Sequence, residues 1–170
     1  KEHLVIQGFQ WRHANTRNLT NWSALGVGGH CVFENNLVSW CDYIGFYVSG
    51  DKSIIRNNIF AYNGAAGIGG RGNEHLIEDN KVLYNNQDRH DTFNTNGGGK
   101  WVYLKNSIIR RHEAAYNIGS GMWLDIDNTG NLFESCYFHH NHGDGLFIEI
   151  SPNNVIRNCV FAYNTEMPGG

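Results

Sequence analysis

Two carboxylates recur at the same place in two similar segments of the chain. Residues 121–127 contain Asp125 and residues 145–151 contain Glu149, and in each segment the acid follows the opening glycine by four residues. Apolar residues alternate with other residues in both segments, which is typical of a strand with one buried face. We therefore expect Asp125 and Glu149 to lie side by side on adjacent strands, pointing away from the core.

Such a pair has a defined chemistry. Neighbouring strands place outward carboxyl groups about 5 Å apart. Retaining glycosidases use this separation, because one carboxylate attacks the anomeric carbon while the other transfers a proton, whereas inverting enzymes need a wider gap to admit water. Like charges opposite each other destabilise a sheet, so a tolerated pair indicates a function. The spacing predicts a retaining two-carboxylate site, but it does not assign the two roles.

Both segments belong to a repeat that runs along the chain. Six stretches of one form begin at residues 32, 54, 76, 108, 132 and 155, in steps of 22, 22, 32, 24 and 23 residues. A second series of mostly Asn positions follows them at Cys41, Asn63, Asn85, Asn117, Asn141 and Asn164. Asn tolerates left-handed backbone, and its amide can bond to the Asn of the next coil. Each repeat therefore predicts short strands separated by Asn turns.

The period defines the predicted fold class. One coil of about 22–24 residues matches an all-β, right-handed parallel β-helix, a single-stranded solenoid with Asn ladders. Residues 1–170 are predicted to be a segment of one such domain, and the long step predicts a loop insertion at residues 86–98. Because neither end shows a capping element, we expect the segment to be truncated at both ends and to belong to a longer parent chain.

The glycines that open the third strand of each coil predict a binding surface. We align Gly45, Gly67, Gly99, Gly121 and Gly145, although Gly97 and Gly98 compete with Gly99 for this role. The second position after the glycine then holds Tyr47, Gly69, Trp101, Trp123 and Phe147. The fourth holds Ser49, Arg71, Tyr103, Asp125 and Glu149, and the sixth holds Asp51, Asn73, Lys105, Asp127 and Ser151.

An aromatic row beside a polar, carboxylate-bearing row suits a carbohydrate. Sugars have apolar faces that stack on rings and hydroxyl groups that need polar partners. The alternative is that neighbouring long loops cover these outward aromatic rings. The predicted substrate-binding residues are Tyr47, Arg71, Trp101, Tyr103, Lys105, Trp123, Asp127 and Phe147.

The two acidic strands also carry a family resemblance. Trp123-Leu124-Asp125 and the segment Leu146-Phe147-Ile148-Glu149-Ile150 resemble the catalytic strands of the β-helical β-xylosidases of glycoside hydrolase family 120 and of related β-helix proteins, and residues 5–15 resemble their first coils. The resemblance implies that Asp125 is the nucleophile and Glu149 the acid/base of a glycosidase. It favours an exported bacterial enzyme, secreted or periplasmic, that needs no cofactor.

Two other function classes stay open. Pectate-lyase-like β-helices place acids on successive coils to bind Ca²⁺, which neutralises a uronate. Asp125, Asp127 and Glu149 would then hold Ca²⁺, with Arg71 or Lys105 as the base. The third class is a non-catalytic carbohydrate-binding β-helix.

Composition narrows the classes of molecule that the chain could bind. A net charge of −3 favours neither nucleic acid nor an anionic membrane. No apolar run approaches the roughly 20 residues that span a bilayer. The expected partner is the carbohydrate that the aromatic and polar rows suit.

Five further residues are weaker candidates for contacting the carbohydrate: Lys100, His142 and Asp144 beside the site, and His90 and Asp91 in the inserted loop.

Overall fold

The computed structural model describes residues 2–15, 23–92, 94 and 97–164. All regular structure in this part of the chain is β-strand. Within those ranges no helix is present that has the length and apolar character needed to cross a bilayer. The strands are short, and most contain three residues because an Asn or another turn residue ends each one.

The strands follow one another in a fixed order along the chain. They are β1 (Val5–Gln7), β2 (Gln10–Arg12), β3 (Ser23–Val27), β4 (Val32–Glu34), β5 (Leu37–Ser39), β6 (Ile44–Ser49), β7 (Ile54–Arg56), β8 (Ile59–Ala61), β9 (Ala66–Asn73), β10 (Leu76–Glu78), β11 (Lys81–Leu83), β12 (Lys100–Lys105), β13 (Ile108–Arg110), β14 (Glu113–Ala115), β15 (Met122–Ile126), β16 (Leu132–Glu134), β17 (Tyr137–His139), β18 (Leu146–Ile150), β19 (Val155–Arg157) and β20 (Val160–Ala162).

Three parallel sheets wind around one core. The first sheet has the order β1-β4-β7-β10-β13-β16-β19, the second β2-β5-β8-β11-β14-β17-β20, and the third β18-β15-β12-β9-β6-β3. Each strand pairs with the equivalent strand of the next coil, as in Val32 with Ile54 and Leu132 with Val155. The predicted all-β parallel solenoid is therefore confirmed, and the repeat starts found in the sequence are the starts of the first-sheet strands.

Buried Asn side chains join the coils in ladders. The amide Nδ2 of Asn63 donates to Oδ1 of Asn85 at 2.9 Å, Asn85 donates likewise to Asn117 at 3.0 Å, and Asn117 to Asn141 at 2.9 Å. Each of these Asn residues is fully or almost fully buried. Because a buried amide without partners is costly, the ladder stabilises the stack only while it is continuous. The predicted Asn ladders are confirmed.

A second ladder is interrupted by a histidine. Asn36 and Asn58 each donate from Nδ2 to Oδ1 of the next Asn in the series, Asn58 and Asn80. The equivalent position on the coil after Asn80 is occupied by His112. This residue is buried, and its Nδ1 has no hydrogen-bond partner among the described residues. Burial lowers the pKa of His112 to about 4. The imidazole is therefore neutral at pH 7.

The opening glycines of the third sheet are required by close packing. A Cβ at Gly121 would lie 2.9 Å from Nδ2 of Asn141 and 2.6 Å from the backbone oxygen of Gly145. A Cβ at Gly45 would meet Nδ2 of Asn63 at 2.8 Å. The ladder Asn of the next coil thus occupies the space that a side chain would need, so only glycine fits.

Six aromatic side chains form a continuous ring stack on the outside of the second sheet. Its centroid spacings lie between 4.6 and 5.0 Å from one coil to the next. Each member has a positive φ, in the turn after a second-sheet strand. The members of the ring stack are Trp40, Tyr62, Tyr84, Tyr116, His140 and Tyr163.

The register of β12 differs from the prediction by one residue. Lys100 pairs with Trp123 and Trp101 pairs with Leu124. Counting back along both strands brings Gly98, and not Gly99, opposite Gly121. The alignment of Gly99 was therefore wrong. The physical reason is that Trp101 fills the core, where it is 1 % exposed, so burial of the large indole decides which of three adjacent glycines opens the strand.

Candidate functional site

Asp125 and Glu149 occupy opposite positions on adjacent strands. β15 pairs with β18 through Leu124 with Ile148 and through Ile126 with Ile150. These two pairs flank the acids, so the predicted juxtaposition of the two strands is present in the structure. Asp125 is half-buried and Glu149 is exposed.

Asp125 forms an ion pair with a lysine from the preceding coil. Nζ of Lys100 lies 2.8 Å from Oδ2 of Asp125, and the two side chains are only 17 % and 16 % exposed. The same Nζ donates to the backbone oxygen of Asn94 at 2.8 Å and lies 3.8 Å from the ring centroid of Trp123. The loop before β12 thus reaches the third sheet, and it holds Lys100 in place through Asn94.

Glu149 is bound by the indole of Trp123. Nε1 of Trp123 donates to Oε2 of Glu149 at 3.2 Å. The Trp123 ring is 8 % exposed and contacts Phe147 with a centroid distance of 5.5 Å. One indole therefore touches Glu149 through its edge and Lys100 through its face, which ties both acids into one hydrogen-bonded and charged cluster.

A cavity of about 260 Å³ opens beside Asp125. Its walls are mainly apolar, and the Lys100–Asp125 ion pair forms its polar side. Tyr47, predicted to bind substrate, is one of its lining residues. The full lining is Ile44, Tyr47, Ala66, Ile68, Gly69, Asn94, Lys100, Val102 and Asp125.

A second, shallower depression of about 400 Å³ lies on the same sheet, and we call it the basin. Arg71, Tyr103 and Lys105, all predicted to bind substrate, line it together with Gly50, Asp51, Gly72 and Asn73. Nζ of Lys105 lies 2.6 Å from Oδ2 of Asp127. Since Asp127 follows the strand that carries Asp125, this ion pair connects the basin to the carboxylate pair.

A β-bulge in β12 shapes the basin. Trp101 pairs with Gly70, but Leu104 pairs with Gly72, so β12 contains one extra residue. Tyr103 lies in this extra segment, with a φ of 55° and 47 % exposure. Tyr103 was predicted to share the row of Asp125. The register instead brings Val102 into that row, and the bulge turns Tyr103 towards the basin.

Two other predicted positions differ. Trp101 was expected to bind substrate from the outer face, but it is a fully buried core residue, because the one-residue shift gives its outward position to Lys100. Ser151 was expected to point outward in the row of Asp127. It is buried instead, and its hydroxyl donates to the backbone oxygen of Asp125 at 2.9 Å.

The acids do not form a metal cluster. No group of three or more His, Cys, Asp or Glu side chains placed to hold a metal ion occurs in the described ranges. Asp125 and Asp127 each pair with a lysine instead. The predicted Ca²⁺ arrangement of Asp125, Asp127 and Glu149 therefore gains no support from their geometry.

The remaining candidates lie further from the carboxylate pair. His142 and Asp144 belong to the turn before β18, where their backbone groups bond to Asn117 and Gly121 of the preceding coil. The His90 ring packs edge-on against Tyr43, and its backbone N–H donates to Asn86. These contacts explain the position of the His90 ring and of the turn that carries His142 and Asp144.

The comparisons with known proteins define the class. The family model for the right handed beta helix region matches residues 23–168, so the chain belongs to the right-handed β-helix family. A solved structure described as the complex structure of XylC with xylose is similar, with a TM-score of 0.73 and 15 % identity over 96 % of this chain and 33 % of that chain. At this identity the similarity shows the fold, and the chain spans about a third of XylC. No curated protein matches the sequence.

Proposed function

We propose that this chain carries the catalytic acids of a retaining glycoside hydrolase that acts on an oligosaccharide or polysaccharide. The observation that carries the proposal is the placement of Asp125 and Glu149 opposite each other on β15 and β18. Carboxylates on neighbouring strands have the separation that double displacement needs. A cavity beside Asp125 provides room for a sugar, and the partly exposed ring of Phe147, next to Glu149 on β18, provides a stacking face.

The surroundings of the two acids favour distinct roles. Asp125 lies against the ammonium of Lys100, which stabilises a negative charge on the attacking carboxylate. Glu149 is held by a neutral indole N–H and is open to solvent, which suits a group that exchanges protons with the leaving group and with water.

The reaction has two balanced steps. An oxygen of Asp125 attacks the anomeric carbon while Glu149 protonates the departing glycosidic oxygen. Glu149 then takes a proton from water, whose oxygen attacks the same carbon and releases Asp125.

Several residues would contact the saccharide in this proposal. Tyr47 lines the cavity, and Phe147 lies beside the acids. The predicted contact from Trp123 would be indirect, through Glu149 and Lys100, because its ring is only 8 % exposed. The fold similarity to a protein solved with xylose supports a carbohydrate substrate. The protein would be secreted or periplasmic, because polysaccharides lie outside the cell, and the chain would belong to a longer parent chain.

Azide rescue tests the assignment of both acids. We expect Asp125→Ala and Glu149→Ala each to remove nearly all hydrolysis of a panel of aryl glycosides. Azide should then restore turnover by both variants, giving a glycosyl azide of inverted configuration with Asp125→Ala and of retained configuration with Glu149→Ala. Glu74→Ala, at an exposed carboxylate paired with Lys52, is the control and should behave as wild type. Normal turnover by either alanine variant would contradict the proposal.

The same assays separate the other classes. A lyase would lose activity in a chelator, regain it with Ca²⁺ and release an unsaturated product. A binding protein would hold saccharides without cutting them, and Asp125→Asn and Glu149→Gln would leave that binding intact.

A further inference from the structure

We propose that the basin is a subsite for an acidic sugar, a residue of the saccharide that carries a carboxylate. The inference rests on the proposed function, because the basin would bind a more distant part of the same saccharide chain. The charges in the basin, the bulge at Tyr103 and the distance to Asp125 support it.

Arg71 is the unpaired cation of the basin. Its side chain is exposed and has no ion-pair partner among the described residues. Lys105, by contrast, is neutralised by Asp127 at 2.6 Å. The Asp51 carboxylate accepts hydrogen bonds from the backbone N and the Nδ2 of Asn73 at 2.8 and 3.0 Å. The basin therefore offers one unpaired guanidinium, a group whose planar donors match a carboxylate. Its anion, Asp51, is already hydrogen-bonded to the neutral amide groups of Asn73.

Tyr103 supplies an aromatic wall at a conformational cost. A positive φ in a bulky residue inside a strand costs of the order of 1–3 kcal/mol, and such strain is concentrated at functional sites. The bulge directs the ring into solvent beside Arg71 instead of into the core. A half-exposed ring next to a free cation gives a sugar a stacking face and its carboxylate a partner.

Glycine backbone forms the floor of the basin. Gly72 has a φ of 128°, and a Cβ there would collide with the backbone oxygen of Gly50. Nε2 of His75 lies 3.3 Å from the backbone oxygen of Arg71, while its Nδ1 accepts from the backbone of Ser53. Burial lowers the pKa of His75, so the ring is neutral and fixes the strand from below.

The distance to the carboxylate pair sets where the acidic residue would lie. Arg71 is on β9 and Asp125 is on β15, with β12 between them. Two strand spacings amount to about 10 Å, which is the span of a disaccharide unit. A saccharide running along the solenoid axis would place its acidic residue two units from the bond that is cut. Asp51 and Asp127 would accept hydrogen bonds from hydroxyl groups, so the subsite admits one carboxylate.

Calorimetric titration of matched saccharides tests the subsite. All proteins carry Glu149→Gln so that no ligand is cut. The ligands are xylotetraose with and without one glucuronic acid branch, and cellotetraose with its counterpart in which one glucose residue is replaced by glucuronic acid. We expect the acidic member of at least one pair to bind about tenfold tighter. Arg71→Gln should reduce that preference to about twofold or less, with the affinity for the neutral member unchanged.

Arg12→Gln is the matched control, since it removes the same charge from an exposed arginine at the end of β2 in another sheet. Equal affinities in both pairs, no binding of any ligand, or a preference that survives Arg71→Gln or is equally lost in Arg12→Gln would overturn the subsite. The preference is measured without hydrolysis. The preference for the acidic saccharide can therefore be found even if the glycosidase proposal fails. An active enzyme without this preference would contradict the subsite and leave the glycosidase proposal intact.

Discussion

Trp123 and Glu149 are joined by a hydrogen bond of 3.2 Å from the indole Nε1 to Oε2. The face of the same ring carries the ammonium of Lys100 at 3.8 Å from the centroid. Lys100 in turn pairs with Asp125. A single side chain thus contacts Glu149 and the cation partner of Asp125, and Trp123 is a positioning residue for both proposed catalytic groups.

Trp123→Phe should separate positioning from packing. Phenylalanine keeps an aromatic face for Lys100 and Phe147 but has no N–H for Glu149. Loss of one hydrogen bond to a charged group, worth about 1–2 kcal/mol, should lower kcat about 5–30-fold with little change in KM. Steady-state kinetics on an aryl glycoside measures this, with Trp40→Phe as the control for a tryptophan far from the site. An unchanged kcat would show that the indole N–H has no catalytic role.

The Lys100–Asp125 ion pair should be strongly coupled. Both side chains are mostly buried, so removing either one leaves a charge without compensation. A double-mutant cycle with Lys100→Met and Asp125→Asn should give a coupling free energy of about 1–3 kcal/mol in urea unfolding. The more exposed Lys105–Asp127 pair, treated with Lys105→Met and Asp127→Asn, should give at most about 1 kcal/mol. Equal coupling in the two cycles would contradict the difference in burial.

His112 should make the chain sensitive to mild acid. Its folded pKa of about 4 lies below the unfolded value of about 6.5. Between these values the unfolded chain binds a proton that the folded chain does not, so the free energy of unfolding falls as the pH falls. Wild type should lose about 2–3 kcal/mol from this group between pH 7.5 and pH 4.5. Buried His75, whose pKa is also lowered, adds to the loss with the same sign.

His112→Asn isolates that contribution. The Asn amide would extend the ladder of Asn36, Asn58 and Asn80, and its Oδ1 would accept the backbone N–H of Asn80, as Asn80 accepts that of Asn58. Urea unfolding at several pH values should show a smaller decrease between pH 7.5 and pH 4.5 than in wild type. The carboxylates of Asp79 and Glu113, whose pKa values are also lowered, lose stabilising contacts as the pH falls, but both are present in wild type and variant, so the difference between the two profiles reports His112. Identical profiles would rule out His112 as the source.

The ring stack should stabilise the interior coils more than its end. Tyr84 lies between Tyr62 and Tyr116, at 5.0 and 4.9 Å with interplanar angles of 2° and 7°. Tyr163 has only His140 as its neighbour in the stack and is 79 % exposed. At about 0.5–1.5 kcal/mol for each ring pair, Tyr84→Ala should cost about 1–3 kcal/mol and Tyr163→Ala at most about half of that.

The two positions make a matched comparison. Tyr84 and Tyr163 have φ values of 54° and 53°, so the cost of left-handed backbone cancels between the variants. Thermal unfolding followed by circular dichroism measures the difference. Equal destabilisation would show that the stacked rings contribute no pairwise energy.

The repeat in the sequence predicted the solenoid because every coil needs the same residue types at the same turns. The buried amides of Asn63, Asn85 and Asn117 must meet one another, so their spacing in the sequence reports one turn of the chain. The position of Asp125 opposite Glu149 followed from the same count, since no insertion separates β15 from β18.

The register of β12 could not be predicted in this way. The inserted loop ends in three consecutive glycines, so the sequence offers three equivalent starting points for the strand. Only the packing of Trp101 in the core and the extra residue at Tyr103 decide among them. Ile126 is also exposed, although strict alternation after Met122 and Leu124 would point it into the core. The chain turns directly after it, at Asp127 with a φ of 50°.

The ring stack also has an optical consequence. Its members stand within 5.0 Å of one another along every coil from Trp40 to Tyr163. Light absorbed by Tyr62, Tyr84 and Tyr116 can pass from ring to ring towards Trp40, because indole has a lower excited state than phenol. The part of the tryptophan fluorescence that is excited through these tyrosines thus reports whether the neighbouring coils are still wound, and loss of Tyr62 would dim it.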